Sequence, residues 1–285
     1  MLRILSALNS SVFIAFDYIL LYNNTQDNPK GVSSMQLERR YISEVRIDEP
    51  ISSESYLSRI PVIKYLQNNH SIEFNSNITI IVGENGTGKS TLMEAIAVAV
   101  KLNPEGGSSH HTFSTKDTHS ELYRKLIVSK QNFPRDKFFL RAESTYNMAS
   151  YFQNLAEDPL TGRFKYLWDK LHKMSHGEGF LDILCKFRGN GLYLMDEPES
   201  ALSPTKLMEA MCMINQLLNK ESQFIIATHS PMLMAFPNAQ ILQLTDKGIE
   251  EVNYRDTDHY KITMDFLLNP ERMFDILFED NTETA

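Results

Sequence analysis

Apolar positions along the chain follow two rhythms. The first is the short unbroken run: Ile78 to Val82 (ITIIV), Leu192 to Met195 (LYLM) and Phe224 to Ala227 (FIIA). Each predicts a strand covered on both faces, as strands of a parallel sheet are. The second is helical spacing. Leu92, Ile96 and Val100 share one face of a helix predicted over Lys89 to Lys101, and Met and Leu line the inner face of one over Pro204 to Leu218. Weaker patterns predict helices at 120–130, 146–156, 164–174, 180–187, 263–268 and 270–278, and strands at 71–74, 241–244 and 249–254. Asn103 to Lys116 is rich in Gly, Ser and His and predicts a loop, and Met35 to Arg46 reads simply as charged. A strand, loop and helix, then a mostly helical block, then strands alternating with helices, is an α/β layout. Ligands of such sheets bind beyond the carboxyl ends of the strands.

Composition narrows this only a little. The 285 residues are 42% hydrophobic, enough for one large domain or a core domain with an insertion. A net charge of -8 gives no bulk attraction to nucleic acid or an anionic membrane. The basic residues Lys125, Lys130, Arg135, Lys137, Arg141, Arg163, Lys165, Lys170 and Lys173 leave a local basic groove open, although a solvated helical face explains them more simply. The two cysteines, Cys185 and Cys212, make no disulfide framework and no zinc-ligand spacing, which suits reduced thiols in a cytoplasmic protein. Residues 1–40 read as an N-terminal extension. Its apolar run Ser11 to Tyr22, broken by Asp17, is shorter than the ~20 residues of a membrane span. A start codon placed too early, with Met35 as the natural start, a docked helix and an export or membrane signal all remain open.

Chemistry gathers where the three buried strands stop. After Val82 comes Gly83-Glu84-Asn85-Gly86-Thr87-Gly88-Lys89-Ser90, followed by Thr91. Glycines let a backbone turn with positive φ and approach a polyphosphate closely, and the N–H groups of a helix start then wrap it. Lys89 would reach the terminal phosphates, and the Ser90 hydroxyl would bind Mg2+. The second strand ends in Asp196-Glu197. Asp196 would hold the magnesium, and Glu197 would orient or deprotonate an attacking water. The third ends in Thr228-His229-Ser230, and the imidazole of His229 would hydrogen-bond a phosphate oxygen or that water.

The order of these motifs resembles the ABC-type branch of P-loop ATPases, which includes transporter ATP-binding subunits and DNA-repair and chromosome-structure ATPases. The resemblance implies ATP and Mg2+ as ligands and a P-loop NTPase sheet flanked by helices. It also implies an inserted helical subdomain, roughly residues 103–190 within an ATPase domain at 41–285. In that branch a signature near L-S-G-G-Q faces the ATP of a second subunit. Met174-Ser175-His176-Gly177-Glu178-Gly179 stands in its place, with Ser175 and Gly177 matching. An ordinary cap of the following helix is the alternative. Ser200, Ala201 and Leu202 correspond to the family's dimer-lining loop, which implies an ATP-dependent homodimer. The branch has a glutamine where this chain has Glu143, in Arg141-Ala142-Glu143-Ser144. Glu143 is a candidate magnesium contact, or equally a partner of Arg141 or a helix cap. Tyr65 or Tyr56 would stack on adenine if either does, although a core tyrosine is the plainer reading. Over roughly residues 60–278 the chain is also similar to a bacterial family labelled "AAA family ATPase", on Asn103-Pro104-Glu105-Gly106-Gly107, Arg141 to Ser144 and Ser175 to Glu178. That likeness implies no substrate. A DNA or nuclease partner in repair or defence, a membrane transporter partner, and a switch that hydrolyses negligibly all stay open.

Overall fold

The three unbroken apolar runs form the middle of a seven-stranded sheet. The computed structural model describes residues 40–68, 70–108, 120–141 and 176–278. The strands are β1 (Ile42–Ile47), β2 (Ser71–Glu73), β3 (Ile78–Gly83), β4 (Gly107–Ser108), β5 (Leu126–Lys130), β6 (Asp136–Arg141), β7 (Gly191–Asp196), β8 (Gln223–Ala227), β9 (Gln240–Thr245) and β10 (Gly248–Glu251). The helices are α1 (Pro61–Gln67), α2 (Lys89–Ala99), α3 (Leu122–Lys125), α4 (His176–Leu184), α5 (Pro204–Leu218), α6 (Pro231–Met234), α7 (Asp258–Leu268) and α8 (Pro270–Phe278).

The large sheet runs β10-β9-β3-β8-β7-β6-β4. Its five central strands are parallel, and β10 and β4 close the edges antiparallel. Alternate residues of the buried strands serve two cores. Ile81, Leu194 and Ile225 pack on Leu92, Met93 and Ile96 of α2. Ile80, Tyr193, Met195 and Ile226 pack on Leu207 and Ile214 of α5. Burial of one such aliphatic side chain contributes about 1.5–3 kcal/mol, which is why the runs show no polar alternation.

A second, three-stranded antiparallel sheet, β2-β1-β5, covers the other side of α2. Two buried amides stitch the sheets together. The Gln223 Oε1 accepts from the N–H of Tyr41 at 2.8 Å and of Ile42 at 2.9 Å, while its Nε2 donates to Ile42 O at 2.8 Å. The Gln240 Nε2 donates to Glu73 O of β2 at 3.1 Å, while its Oε1 accepts from Asn75 N, in the turn after β2, at 2.9 Å.

This sheet corrects one expectation and adds a strand. Residues 120–130, expected as a helix, are helical only over α3 and then become β5, and the stretch read simply as charged enters β1 at Ile42. The register of β1 against β5 shifts between Ile42 and Glu44, so the inward residues Ile42 and Val45 stand three apart and no alternation shows. The stretch 103–190 thus holds strands as well as helix among its described residues. The expected strand 249–254 stops at Glu251, and Tyr254 enters a short 3-10 helix. α7 begins at Asp258, five residues before the expected helix, where the Thr257 side chain accepts from Tyr260 N. The helices expected at 146–156 and 164–174 lie outside the described residues. The described lysines of the basic set do not form a helical face. Lys130 and Lys137 donate to Ala99 O at 3.3 Å and Val100 O at 2.6 Å, at the carbonyl end of α2.

Candidate functional site

β3 delivers the chain into the glycine loop at Gly83, and α2 leaves it at Lys89. Gly88 has φ 101°, and a Cβ there would stand 2.4 Å from Ile60 Cγ2 and 2.6 Å from Val62 Cγ1. A side chain at Gly83 would meet Leu244 O at 2.5 Å. Both positions therefore demand glycine, because backbone or buried branches stand where a Cβ would go. Thr87 braces the turn: its hydroxyl donates to Glu84 O at 2.8 Å, and its carbonyl accepts from Val62 N at 3.2 Å. Glu84, Asn85 and Gly86 form the exposed tip of the loop, and Thr91 is half-buried on α2.

The Lys89 ammonium donates to Gly83 O at 2.7 Å and to Glu84 O at 3.1 Å. Burial pushes its pKa below the ordinary lysine value, against the pull of Glu197, Asp196, Glu84 and Glu199. A cation held over a ring of backbone at a helix N-terminus is arranged to receive an anion.

Parallel pairing sets the second half of the site. Asp196 registers against Ala227 of β8, and Ala227 against Ile81 of β3, so the ends of β7 and β8 lie level with the glycine loop. The Ser90 hydroxyl then donates to Asp196 Oδ1 at 3.2 Å. Arg141, at the end of β6, holds its Nε 3.6 Å from Asp196 Oδ2 and its Nη1 3.6 Å from Glu94. Among the described residues no three His, Cys, Asp or Glu side chains converge as a metal cage. One hydroxyl and one carboxylate, both hard oxygen donors, fit Mg2+ of the kind that completes its shell with phosphate oxygens and water.

Glu197 stands just beyond, with φ 49° and ψ 51°, the left-handed region. For a non-glycine residue this costs about 1–3 kcal/mol and persists only where neighbours enforce it. They do here. Glu197 N donates to Ala227 O at 2.9 Å, and Glu197 O accepts from Ser200 N at 3.1 Å and the Ser200 hydroxyl at 3.0 Å. Its carboxylate is 42% exposed and reaches 3.6 Å from His229 Nε2. The backbone N–H of His229 donates to Glu199 Oε1 at 2.6 Å. His229 Nδ1 lies 3.0 Å from Nε2 of His259, in the first turn of α7. Beside the loop, a cleft is lined by Gly83, Glu84, Thr87, Leu244, Asp246, Asp258 and His259, among others.

The structure thus gathers Gly83 to Ser90, Asp196, Glu197 and His229 at one crest. Gly177, on α4, packs beside the segment that follows Glu197: a Cβ on it would meet Ala201 O at 3.2 Å and Leu202 Cδ2 at 3.6 Å. Ser175 and Glu143 are outside the described residues. Tyr65 stacks on His70 with centroids 4.5 Å apart and covers Gly248, a packing role, while Tyr56 is exposed. Three residues at the crest escaped the sequence reading: Arg141 as a neighbour of Asp196, Glu199 and His259. The third carboxylate of Asp196-Glu197-Pro198-Glu199 was the one available signal. Nothing in the sequence near His259 marks it.

Comparison with known proteins adds the following. Residues 61–170 match a family model described as "AAA domain", and residues 178–235 match one described as "AAA domain, putative AbiEii toxin, Type IV TA system". The "Phosphate import ATP-binding protein PstB 2" of Streptococcus thermophilus is 27% identical over 249 residues, 78% of this chain and 94% of that protein. A "Putative ABC transporter ATP-binding protein" of Pyrococcus furiosus is 24% identical over 205 residues, 67% of this chain and 76% of that one. Among solved structures, a "SmcHead bound to the C-winged helix domain of ScpA" aligns with a TM-score of 0.41 at 14% identity, over 75% of this chain and 98% of that one. By sequence, the chain is thus similar to AAA domains over those two stretches and to ABC transporter ATP-binding proteins over most of its length. Among the described residues, no helix is long and apolar enough to cross a membrane.

Proposed function

We propose that this chain binds Mg-ATP at the crest of its parallel sheet, hydrolyses it, and closes around it as a dimer of two copies. The observation that carries the reading is the meeting of Ser90 and Asp196, 3.2 Å apart, at the first turn of the helix that leaves the glycine loop. Lys89 exchanges its two carbonyl partners for phosphate oxygens, and the N–H groups of the α2 start face the same charge. Ser90 and Asp196 would hold Mg2+, which when bound would supply positive charge to offset that of the phosphates. Glu197 takes a proton from the attacking water, and His229 orients the terminal phosphate from the other side. The protein's share is positioning and electrostatics.

Two copies are supported by the surroundings of Gly177. Gly177 packs beside Ala201 and Leu202, so the signature glycine and the loop after Glu197 make one surface for a partner's γ-phosphate. Glu197→Gln is expected to bind ATP normally and to trap an ATP-dependent dimer in light scattering. A mutant that stays monomeric with saturating ATP counts against closure.

For the output, we favour a stand-alone or nuclease-partnered role in DNA repair or defence, within a cytoplasmic setting. The type IV toxin–antitoxin description of the second matching model supports it. The transport names of the curated relatives support a second reading, the ATP-binding subunit of a membrane transporter. Stimulation of ATP turnover by DNA favours the first; stimulation by a detergent-solubilised membrane partner favours the second.

A further inference from the structure

Two imidazoles rather than one stand beyond the end of β8. His229 Nδ1 lies 3.0 Å from His259 Nε2, and the two rings are tilted by 51° with centroids 5.2 Å apart. The far nitrogen of His229, Nε2, is buried and makes no hydrogen bond within normal range among the described residues, yet faces Glu197 Oε1 at 3.6 Å. These facts constrain the proton between the rings. Two neutral imidazoles share one N–H along the Nδ1–Nε2 line. If His229 carried it on Nδ1, its Nε2 lone pair would point at a carboxylate from a buried position. If His259 supplies it, His229 Nδ1 accepts, and Nε2 carries an N–H directed at Glu197.

We propose that His259 is a positioning residue: its Nε2–H donates to His229 Nδ1 and fixes His229 in the tautomer whose Nε2–H faces Glu197 and the phosphate end of the site. Burial, then the neighbouring His229, holds the His259 pKa below the ordinary histidine value, which suits a neutral donor. The anchoring of His229 is three-sided. Glu199 holds its backbone N–H, His259 holds Nδ1, and the Ser230 N–H to Thr228 Oγ1 bond at 2.9 Å fixes the turn that follows. Because His259 belongs to α7, the proposal also ties the C-terminal helix pair to the catalytic crest. It rests on the ATPase reading for its kinetic consequence but not for its structural one.

The test uses the full chain with two substitutions. His259→Phe keeps a ring and removes the donor; His259→Gln places an amide N–H where Nε2 stands. Expected in steady-state ATP turnover is a kcat about tenfold lower in His259→Phe, with KM and the equilibrium MgATP affinity within about twofold of the parent, and recovery of most of the rate in His259→Gln. Ring 15N resonances of the parent are expected to report His229 protonated on Nε2, shifting to a mixture in His259→Phe. A parent spectrum with His229 protonated on Nδ1 overturns the proposal even if a variant fails to fold. So does a His259→Phe rate equal to the parent's, or a His259→Gln rate no better than His259→Phe. A parent protein that binds no MgATP and releases no phosphate defeats the ATPase reading instead, and the 15N tautomer then decides the inference alone.

Discussion

The crest of the parallel sheet and the C-terminal helix pair meet at His229 and His259, yet they are built on opposite terms. Every residue of β3, β7 and β8 is buried, Asp196 included. Neither α7 nor α8 buries one. Instead they leave Leu267 70%, Leu268 66%, Ile276 54% and Phe278 64% exposed. The difference shows where precision comes from. A strand covered on both faces and paired on both edges cannot shift without opening a core, so the carboxylate at its end is fixed to within a hydrogen bond. The helix pair is held by its Thr257 cap, ring contacts such as Phe266 on Phe274 at 5.4 Å, and the His229–His259 bond. One region fixes the candidate site. The other reaches it through the first turn of α7, where Asp258 and His259 line the cleft beside the glycine loop.

That contrast can be broken in stages. The largest effect is expected at the crest itself: Glu197→Gln should lower ATP turnover by about 10²–10⁴-fold in a phosphate-release assay, as loss of a general base does. Turnover within tenfold of the parent would remove Glu197 from the chemistry. Leu194→Ala, wholly buried on β7, should lower unfolding free energy by about 2–5 kcal/mol in urea. Gln223→Leu should cost about 1–3 kcal/mol, because it strips a buried acceptor from the N–H groups of Tyr41 and Ile42. If the two sheets held together by apolar contact alone, this substitution would be neutral. Smallest is Leu267→Ala on α7, expected within about 0.5 kcal/mol of the parent. A loss as large as that of Leu194→Ala would mean that the helix pair is buried against something.

Legibility in the sequence follows the same divide. β3, β7 and β8 were readable because strands buried on both faces leave unbroken apolar runs, and α2 because Leu92 and Ile96 mark its buried face. That Gly83 to Ser90, Asp196, Glu197 and His229 stand together was readable because each follows the end of such a run. β1 was not, since its register shift sets its inward residues three apart. β5 was not, since the Leu-Tyr-Arg-Lys that precedes it is helical and only Leu126 of the strand is fully buried. Arg141 and His259 reach the crest by contacts across 141 to 196 and 229 to 259, set by sheet order and a returning helix, which no local pattern encodes.

The central claim, that a triphosphate is gripped at the glycine loop, is tested most directly by equilibrium titration of MgATP into the parent and Lys89→Ala. The account predicts affinity lower by roughly tenfold to a hundredfold in the variant, from lost charge-assisted bonds, with an unchanged melting temperature. Equal affinity in a folded Lys89→Ala protein would contradict it.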